Sequence, residues 1–242
     1  MLLTPEHPLG RFFMSKAVCM PDTFWDGVGR ELAAELEPLF YVNQTNVMEA
    51  AVKIQTAEAI KANRSMIPQK PVLCELHRSA TLFLLSDAGS YRSINVAVFR
   101  PDGSMQHQPP VRDDVESLMA DFFGQLMGMW DDSDPISIAS FVLWRINWVH
   151  PFQNGNGRTA RAFSYLCLCI KFGFWLPGDP TVVDLITADR APYEAALAEL
   201  DRSYADKNLD LTPMTTYLGS LLERQLRPFM SAEANAPTTV GE

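Results

Sequence analysis

Nothing in this chain of 242 residues reads as a disulfide framework. It has four cysteines: Cys167 and Cys169 share an apolar run, Cys19 and Cys74 lie far away, and no CxxC occurs. All four read as buried thiols in a reducing compartment. The opening MLLTPEHPLGRFF lacks a basic start followed by a long apolar stretch, so it does not read as a secretory signal. Bilayer-length apolar runs are missing too, since Arg145, Asn147 and Lys171 interrupt the two nearest candidates. The expectation is a cytoplasmic protein with no membrane partner. Positive charge is scarce: 20 Lys and Arg against 29 Asp and Glu leave a net charge of −9. Such a chain repels a phosphate backbone and argues against nucleic acid as a partner, whereas a small polyanion needs only a local positive pocket. Histidines are few and scattered. His7 reads as exposed, His77 as a core or inter-helix residue and His107 as part of a hairpin, so they form no metal cluster.

What is present is mostly helical periodicity. Residues 22–38 read as a capped helix, and residues 45–61 carry Val47, Met48, Ala51, Ile54, Ala57 and Ile60 as an apolar stripe. Residues 71–85 and 113–130 continue the pattern. Only at Ser93–Arg100 does the period change, with Ile94, Val96 and Val98 alternating before the turn residues Pro101-Asp102-Gly103. That predicts a β-hairpin ending near Pro109-Pro110. Residues 136–149 and 162–176 are apolar nearly all round, as helices at the centre of a bundle are. Residues 189–203 and 212–226 are again helical, residues 231–242 read as a frayed tail, and no internal repeat is evident. The predicted fold class is all-α, a helical bundle with one small β-hairpin.

Between the two apolar helices stands a polar, glycine-containing stretch, residues 150–161, HPFQNGNGRTAR. A polar loop at the centre of a core often marks a functional site. Gly155 and Gly157 alternate with Asn154 and Asn156, and both residue types tolerate positive φ, so the loop can turn its N–H groups inward as an anion nest. It runs straight into a helix, with Thr159 near the first turn, so orphan N–H groups and the positive dipole end point the same way. Arg158 and Arg161 add two cations three residues apart. Together these form a site for a polyphosphate. His150 ends the preceding helix and supplies an imidazole suited to general-base chemistry.

This stretch resembles the Fic motif, His-Pro-Phe-x-Asp/Glu-Gly-Asn-Gly-Arg-x-x-Arg, at every position but one. Gly89-x-Tyr91-Arg92 resembles the Gly-x-Tyr/Phe-Arg that precedes the family's substrate flap, and the hairpin at 94–108 stands where the flap should be. Pro109 and Pro110 followed by Val115, Leu118 and Met119 resemble the helix after the flap. RAPYEAAL at 190–197 resembles the segment after the second core helix. The resemblance implies a helical extension at 1–71, a Fic domain at 72–222 and a helix end with a tail at 223–242. It implies a protein adenylyltransferase that moves AMP from ATP, with Mg²⁺, to a Ser, Thr or Tyr hydroxyl of a target protein docked on the 94–108 flap. His150 would be the base. Asn154, Gly155, Asn156, Gly157, Arg158 and Arg161 would hold the phosphates, with Arg161 on the γ-phosphate and Tyr193 near the adenine. A homodimer is compatible with the resemblance.

The departure is Asn154, where the family usually has a metal-binding carboxylate. An amide oxygen can ligate a hard cation but brings no charge, so a weaker metal site is expected. Thr45-Asn-Val-Met-Glu49-Ala resembles the family's inhibitory motif, Ser/Thr-x-x-x-Glu-Gly/Asn, with Ala50 in the last position. Thr45 and Glu49 fall on one helix face. The resemblance implies that Glu49 pairs with Arg161 and blocks the γ-phosphate. Two alternatives stand beside AMP transfer: removal of AMP or transfer of another phosphate-linked group on the same scaffold, and a non-catalytic nucleotide-binding module.

Overall fold

The computed structural model describes residues 19–21, 25–100 and 102–234. The readings of residues 1–13, of His7, of the Cys19 thiol and of the tail from residue 235 lie outside the residues or side chains described. In chain order the elements are β1 (Cys19–Pro21), α1 (Arg30–Ala62), α2 (Lys70–Thr81), β2 (Asn95–Phe99), β3 (Met105–His107), a short 3-10 turn at Arg112–Asp114, α3 (Val115–Met129), α4 (Pro135–Val149), α5 (Asn156–Phe172), α6 (Val182–Ala188), α7 (Ala191–Ala205) and α8 (Thr212–Ala234). This is the expected helical fold with a small flap.

Two compact units emerge: Met1–Val47 with Gln69–Gly128 and Arg145–Ala160, and Met48–Pro68 with Met129–Trp144 and Arg161–Glu242. In the first, Leu73, Leu76, Val96, Ala97, Met119, Phe122, Leu126 and Phe152 are fully or almost fully buried. In the second, Ile138, Val142, Leu143 and Trp144 are buried, with Phe163, Leu166 and Cys167. Burial is continuous from Ile138 to Ile146 and from Thr159 to Ile170, as helices without a polar face require. The thiols of Cys167 and Cys169 are free and buried, and burial pushes Cys169 up to about 12. Cys74 is only half-buried, so the expectation of buried thiols fails there.

Three elements differ from their expected bounds. The helices expected at 22–38 and 45–61 are one helix, α1, which begins at Arg30 and runs through Pro38. A proline usually stops a helix locally, but here the next turn is anchored from outside. Asn43 donates to the Ser79 carbonyl and the buried Gln44 to the Leu76 carbonyl, both at 2.9 Å. The helix expected from Asp189 starts at Ala191 with Pro192 in its first turn, where a missing N–H costs nothing. α8 continues to Ala234, past the expected end.

The hairpin forms as expected: β2 pairs antiparallel with β3, Gly103 takes φ +81 in the turn, and a bulge falls between Val98 and Phe99. The sheet has a third strand that the sequence did not announce. β1 pairs parallel with β2, Cys19 opposite Asn95, Met20 opposite Val96 and Pro21 opposite Ala97, giving the order β1-β2-β3.

Candidate active site

α4 ends at Val149, and the chain turns at His150, whose φ of 53° lies in the left-handed region. The loop after it is tied to itself. The Asn156 side chain accepts the Phe152 N–H and donates to the Phe152 carbonyl, both at 2.8 Å. Only an amide can do both, because a carboxylate has no donor. The Asn154 Oδ1 accepts the Gly155 N–H at 2.5 Å. Gly155 sits at φ +77, and a Cβ there would lie 2.8 Å from the Thr81 Cγ2, so the position needs glycine on two counts. Thr159 returns its hydroxyl to the Gly155 carbonyl at 3.0 Å.

His77 of α2 holds this loop from below. Its ring stacks on Phe152 at 3.8 Å between centroids, 4° from parallel. Nδ1 accepts the Gly89 N–H at 2.8 Å, and Nε2 lies 2.9 Å from the Asn154 carbonyl. An amide N–H can only donate and a carbonyl can only accept, so the ring is neutral with its proton on Nε2. Burial is the main cause that lowers His77 to about 4. The core role expected of His77 is therefore a bond to the motif itself.

His150, which is 5% exposed, has its tautomer fixed in the same way. Its Nδ1 lies 3.2 Å from the Asn147 carbonyl, which can only accept. The proton is therefore on Nδ1, and Nε2 carries the lone pair that a base needs. Arg92 surrounds the base on its backbone side. Its N–H donates to the Pro151 carbonyl and its Nε to the His150 carbonyl, both at 2.8 Å, while its terminal nitrogens donate to the carbonyls of Ile94 and Pro110. One buried guanidinium thus joins both ends of the flap to the motif. The Gly-x-Tyr-Arg pattern pointed to Arg92 without assigning it a role. His107, on β3, donates from Nε2 to the Trp148 carbonyl at 2.9 Å, and its ring centroid lies 6.4 Å from that of His150. The flap is held beside the base.

At the N-terminus of α5 the amides of Asn156, Gly157 and Arg158 belong to the first turn, where no intrahelical acceptor is available. Gly157 has no side chain to cover them. These amides suit a polyanion, as expected, but the side chains of Asn154 and Asn156 are committed to the loop. The Arg158 guanidinium lies over the Trp25 ring at 5.1 Å and 3.8 Å from a Glu37 carboxylate oxygen. No sequence signal marked Trp25 or Glu37.

The remaining expected residues are spread over both units. In the second unit, Arg161 is 5% exposed and Tyr193, on α7, is buried at 4%. Glu49 also belongs there, and its ion pair is with Lys53, one helical turn on, at 2.6 Å. That differs from the expected partner, Arg161. The reason is local: a Glu followed by Lys at i+4 is the favoured order on an exposed helix face. Thr45, in the first unit, donates to the Tyr41 carbonyl at 3.0 Å, a bond within its own helix.

For a divalent cation the fit is poor. The motif contains no carboxylate, and the Asn154 Oδ1 is already engaged by Gly155. Among the described residues no group of three or more His, Cys, Asp or Glu could hold a metal. A cation would depend on the oxygens of the nucleotide. Among the described residues no helix is long and apolar enough to cross a membrane.

This loop and flap define a class of protein. Residues 69–168 match the Fic/DOC family. Over 202 residues, 83% of this chain, the sequence is 27% identical to a protein adenylyltransferase Fic from Nematostella vectensis, of which it spans only 40%. In structure it is similar to a Fic family protein from Desulfovibrio desulfuricans, with a TM-score of 0.55 and 19% identity over 86% of this chain and 71% of that one. It is likewise similar to a Fic domain containing signaling protein from Bacteroides thetaiotaomicron, with a TM-score of 0.59 and 18% identity over 81% and 74%.

Proposed function

We propose that the chain is a protein adenylyltransferase that moves AMP from ATP to a hydroxyl of a target protein. The observation that carries this reading is the His150 tautomer. Nδ1 is anchored on Asn147, so Nε2 is the basic atom, and the polyanion-binding first turn of α5 begins six residues later, at Asn156. The target's hydroxyl gives its proton to the His150 Nε2. Its oxygen forms a bond to the α-phosphorus, and the bond from that phosphorus to the bridging oxygen breaks, releasing pyrophosphate. The amides of Asn156 and Gly157, with Arg158 and Arg161, carry the phosphate charge, and placement supplies much of the acceleration. The 94–108 flap receives the target as an added strand. Glu49 acts as a brake by exchanging Lys53 for Arg161. The exposed pair with Lys53 is worth less than ~1 kcal/mol and yields readily.

The test is label transfer. α-Labelled ATP should mark protein and γ-labelled ATP should not, while His150→Ala should bind ATP and transfer nothing. Normal transfer by His150→Ala overturns the assigned base. A second reading, a nucleotide-binding module without turnover, draws on the uncharged and already bonded Asn154. ATP binding with no label transfer under any divalent cation would establish that reading.

A further inference from the structure

The outer edge of a sheet pairs with any extended segment that reaches it, and β2 has two edges. Along Val98 and Phe99 it is paired with β3, and along Asn95, Val96 and Ala97 it is paired with β1 of the same chain. Val96 and Ala97 are buried, 1% and 0% exposed, so the occupied stretch is fixed in the first unit's core. The occupant is short and ends in Pro21, which has no N–H to give. Alternate residues of a strand direct their amides to opposite sides. If Pro21 faces away from the ladder, the amide that reaches β2 is that of Met20.

The segment from Trp25 to Gly27, a few residues beyond β1, is clamped to the first unit. Asp26 accepts the Ser86 N–H at 2.9 Å and its hydroxyl at 2.7 Å. Burial pushes the Asp26 carboxyl up, but hydrogen bonds from Ser86 and the Gln153 side chain outweigh this and leave it below its ordinary value. Gln153 is a motif residue. Gly27 donates to the Leu84 carbonyl at 2.9 Å, and a Cβ on it would come within 2.2 Å of the Phe83 oxygen, so the approach admits only glycine. Trp25 lies under Arg158, and Glu37 completes that contact. β1 is therefore tethered by a few residues to a segment that touches the motif at Gln153 and Arg158.

We propose that the Asn95–Ala97 edge of β2 is a docking edge for an extended segment of a target protein running parallel to β2, and that β1 is its resident occupant in cis. This rests on the reading of the flap as the target's receptor, and it names both the edge and the competitor. A strand of three residues pairs weakly, but a short tether gives it an effective concentration on the order of millimolar. A target must displace it, so only segments that pair better or longer than Cys19–Pro21 gain access.

The test needs no turnover and can be run on the His150→Ala chain. Amide exchange of Asn95–Ala97 is measured in that protein and in the same protein carrying Met20→Pro, which removes the reaching amide. Exchange at this edge should rise roughly 10-fold or more, with the amides of α4 and α5 unchanged. Adding a peptide of the chain's own residues 15–25 in trans should restore protection, and a scrambled peptide of the same composition should not. Unchanged exchange on Met20→Pro overturns the cis occupant. Failure of the peptide to restore protection, or equal restoration by the scrambled peptide, overturns the docking edge. Loss of the catalytic reading would appear only in label transfer and leaves both outcomes readable.

Discussion

His77 and Asn154 are joined by one hydrogen bond, 2.9 Å from the imidazole Nε2 to the loop carbonyl, and the opposite nitrogen of the same ring accepts the Gly89 N–H at 2.8 Å. The second bond exists only while the ring is neutral, because a protonated Nδ1 would face an N–H. Burial depresses the folded-state value to about 4, below the ordinary 6.5. The unfolded chain then binds the extra proton first as pH falls. The stability due to neutral His77 is complete above about pH 6.5 and is lost as pH drops toward 4, by about 2–3 kcal/mol over that window. Urea unfolding at pH 7 and pH 4.5 should show this slope in the wild type and a shallower one in His77→Leu. That variant should also lose about 2–5 kcal/mol at pH 7 by orphaning two buried backbone groups. Equal slopes would mean that the ring titrates as an exposed histidine does.

A charge restored at Asn154 should change metal dependence without disturbing the loop. Asn154→Asp keeps the oxygen that accepts the Gly155 N–H and adds a full negative charge beside the phosphate site. At an effective dielectric near 20, a unit-charge contact at ~4 Å is worth about 4 kcal/mol before desolvation is subtracted. The Mg²⁺ concentration giving half-maximal label transfer should therefore fall severalfold. A titration that superimposes on the wild type would place the cation away from residue 154.

Arg92 ties the flap to the base, so its loss should affect the reaction more than nucleotide binding. In Arg92→Lys the ammonium cannot reach the His150, Ile94 and Pro110 carbonyls together. Transfer onto a target should drop by roughly 100-fold, the scale of an ångström-level misplacement. ATP affinity should stay within about 2-fold, because the α5 amides are untouched. Calorimetry beside initial rates separates the two, and a parallel fall in affinity would contradict the assignment.

These residues were legible in the sequence to different degrees, for physical reasons. His150 to Arg158 could be read because the nest, the cap and the base are neighbours in the chain. The hairpin could be read because alternation at Ile94, Val96 and Val98 and turn residues at Asp102-Gly103 are local signals. α1 was misread as two helices because Pro38 is a local breaker, while the bonds from Asn43 and Gln44 that carry the helix onward reach residues 36 and 32 positions away. β1 carries three residues and no alternation, and its partner stands far along the chain. The contact of Glu37 with Arg158 left no trace because an acidic residue on an exposed helix face looks like any other. His77 was placed in the core correctly, but no spacing rule could name Gly89 and Asn154 as its partners.

The brake has the most to lose, because Glu49 rests on Lys53 and not on Arg161. The Glu49 and Lys53 side chains are 37% and 67% exposed, so their pair is weak and screened by salt. Arg161 is 5% exposed, and a buried guanidinium gains far more from a carboxylate than a solvated ammonium does. If Glu49 leaves Lys53 for Arg161, the γ-phosphate of ATP loses its partner, and a misplaced γ-phosphate turns the α-phosphorus away from His150. Glu49→Gly should then raise self-modification by roughly 10-fold or more, the factor that corresponds to ~1.4 kcal/mol of block. Glu49→Asp, one methylene shorter, should release it in part. Lys53→Ala should have the opposite sign, lowering the rate by leaving Glu49 with Arg161 as its one strong partner. Arg161→Ala should not imitate the release, since it removes the γ-phosphate contact together with the brake. The measurement is the initial rate of label incorporation at saturating Mg²⁺-ATP. A Glu49→Gly rate equal to that of the wild type, with Lys53→Ala also unchanged, would leave Glu49 as a solvated helix residue and no more.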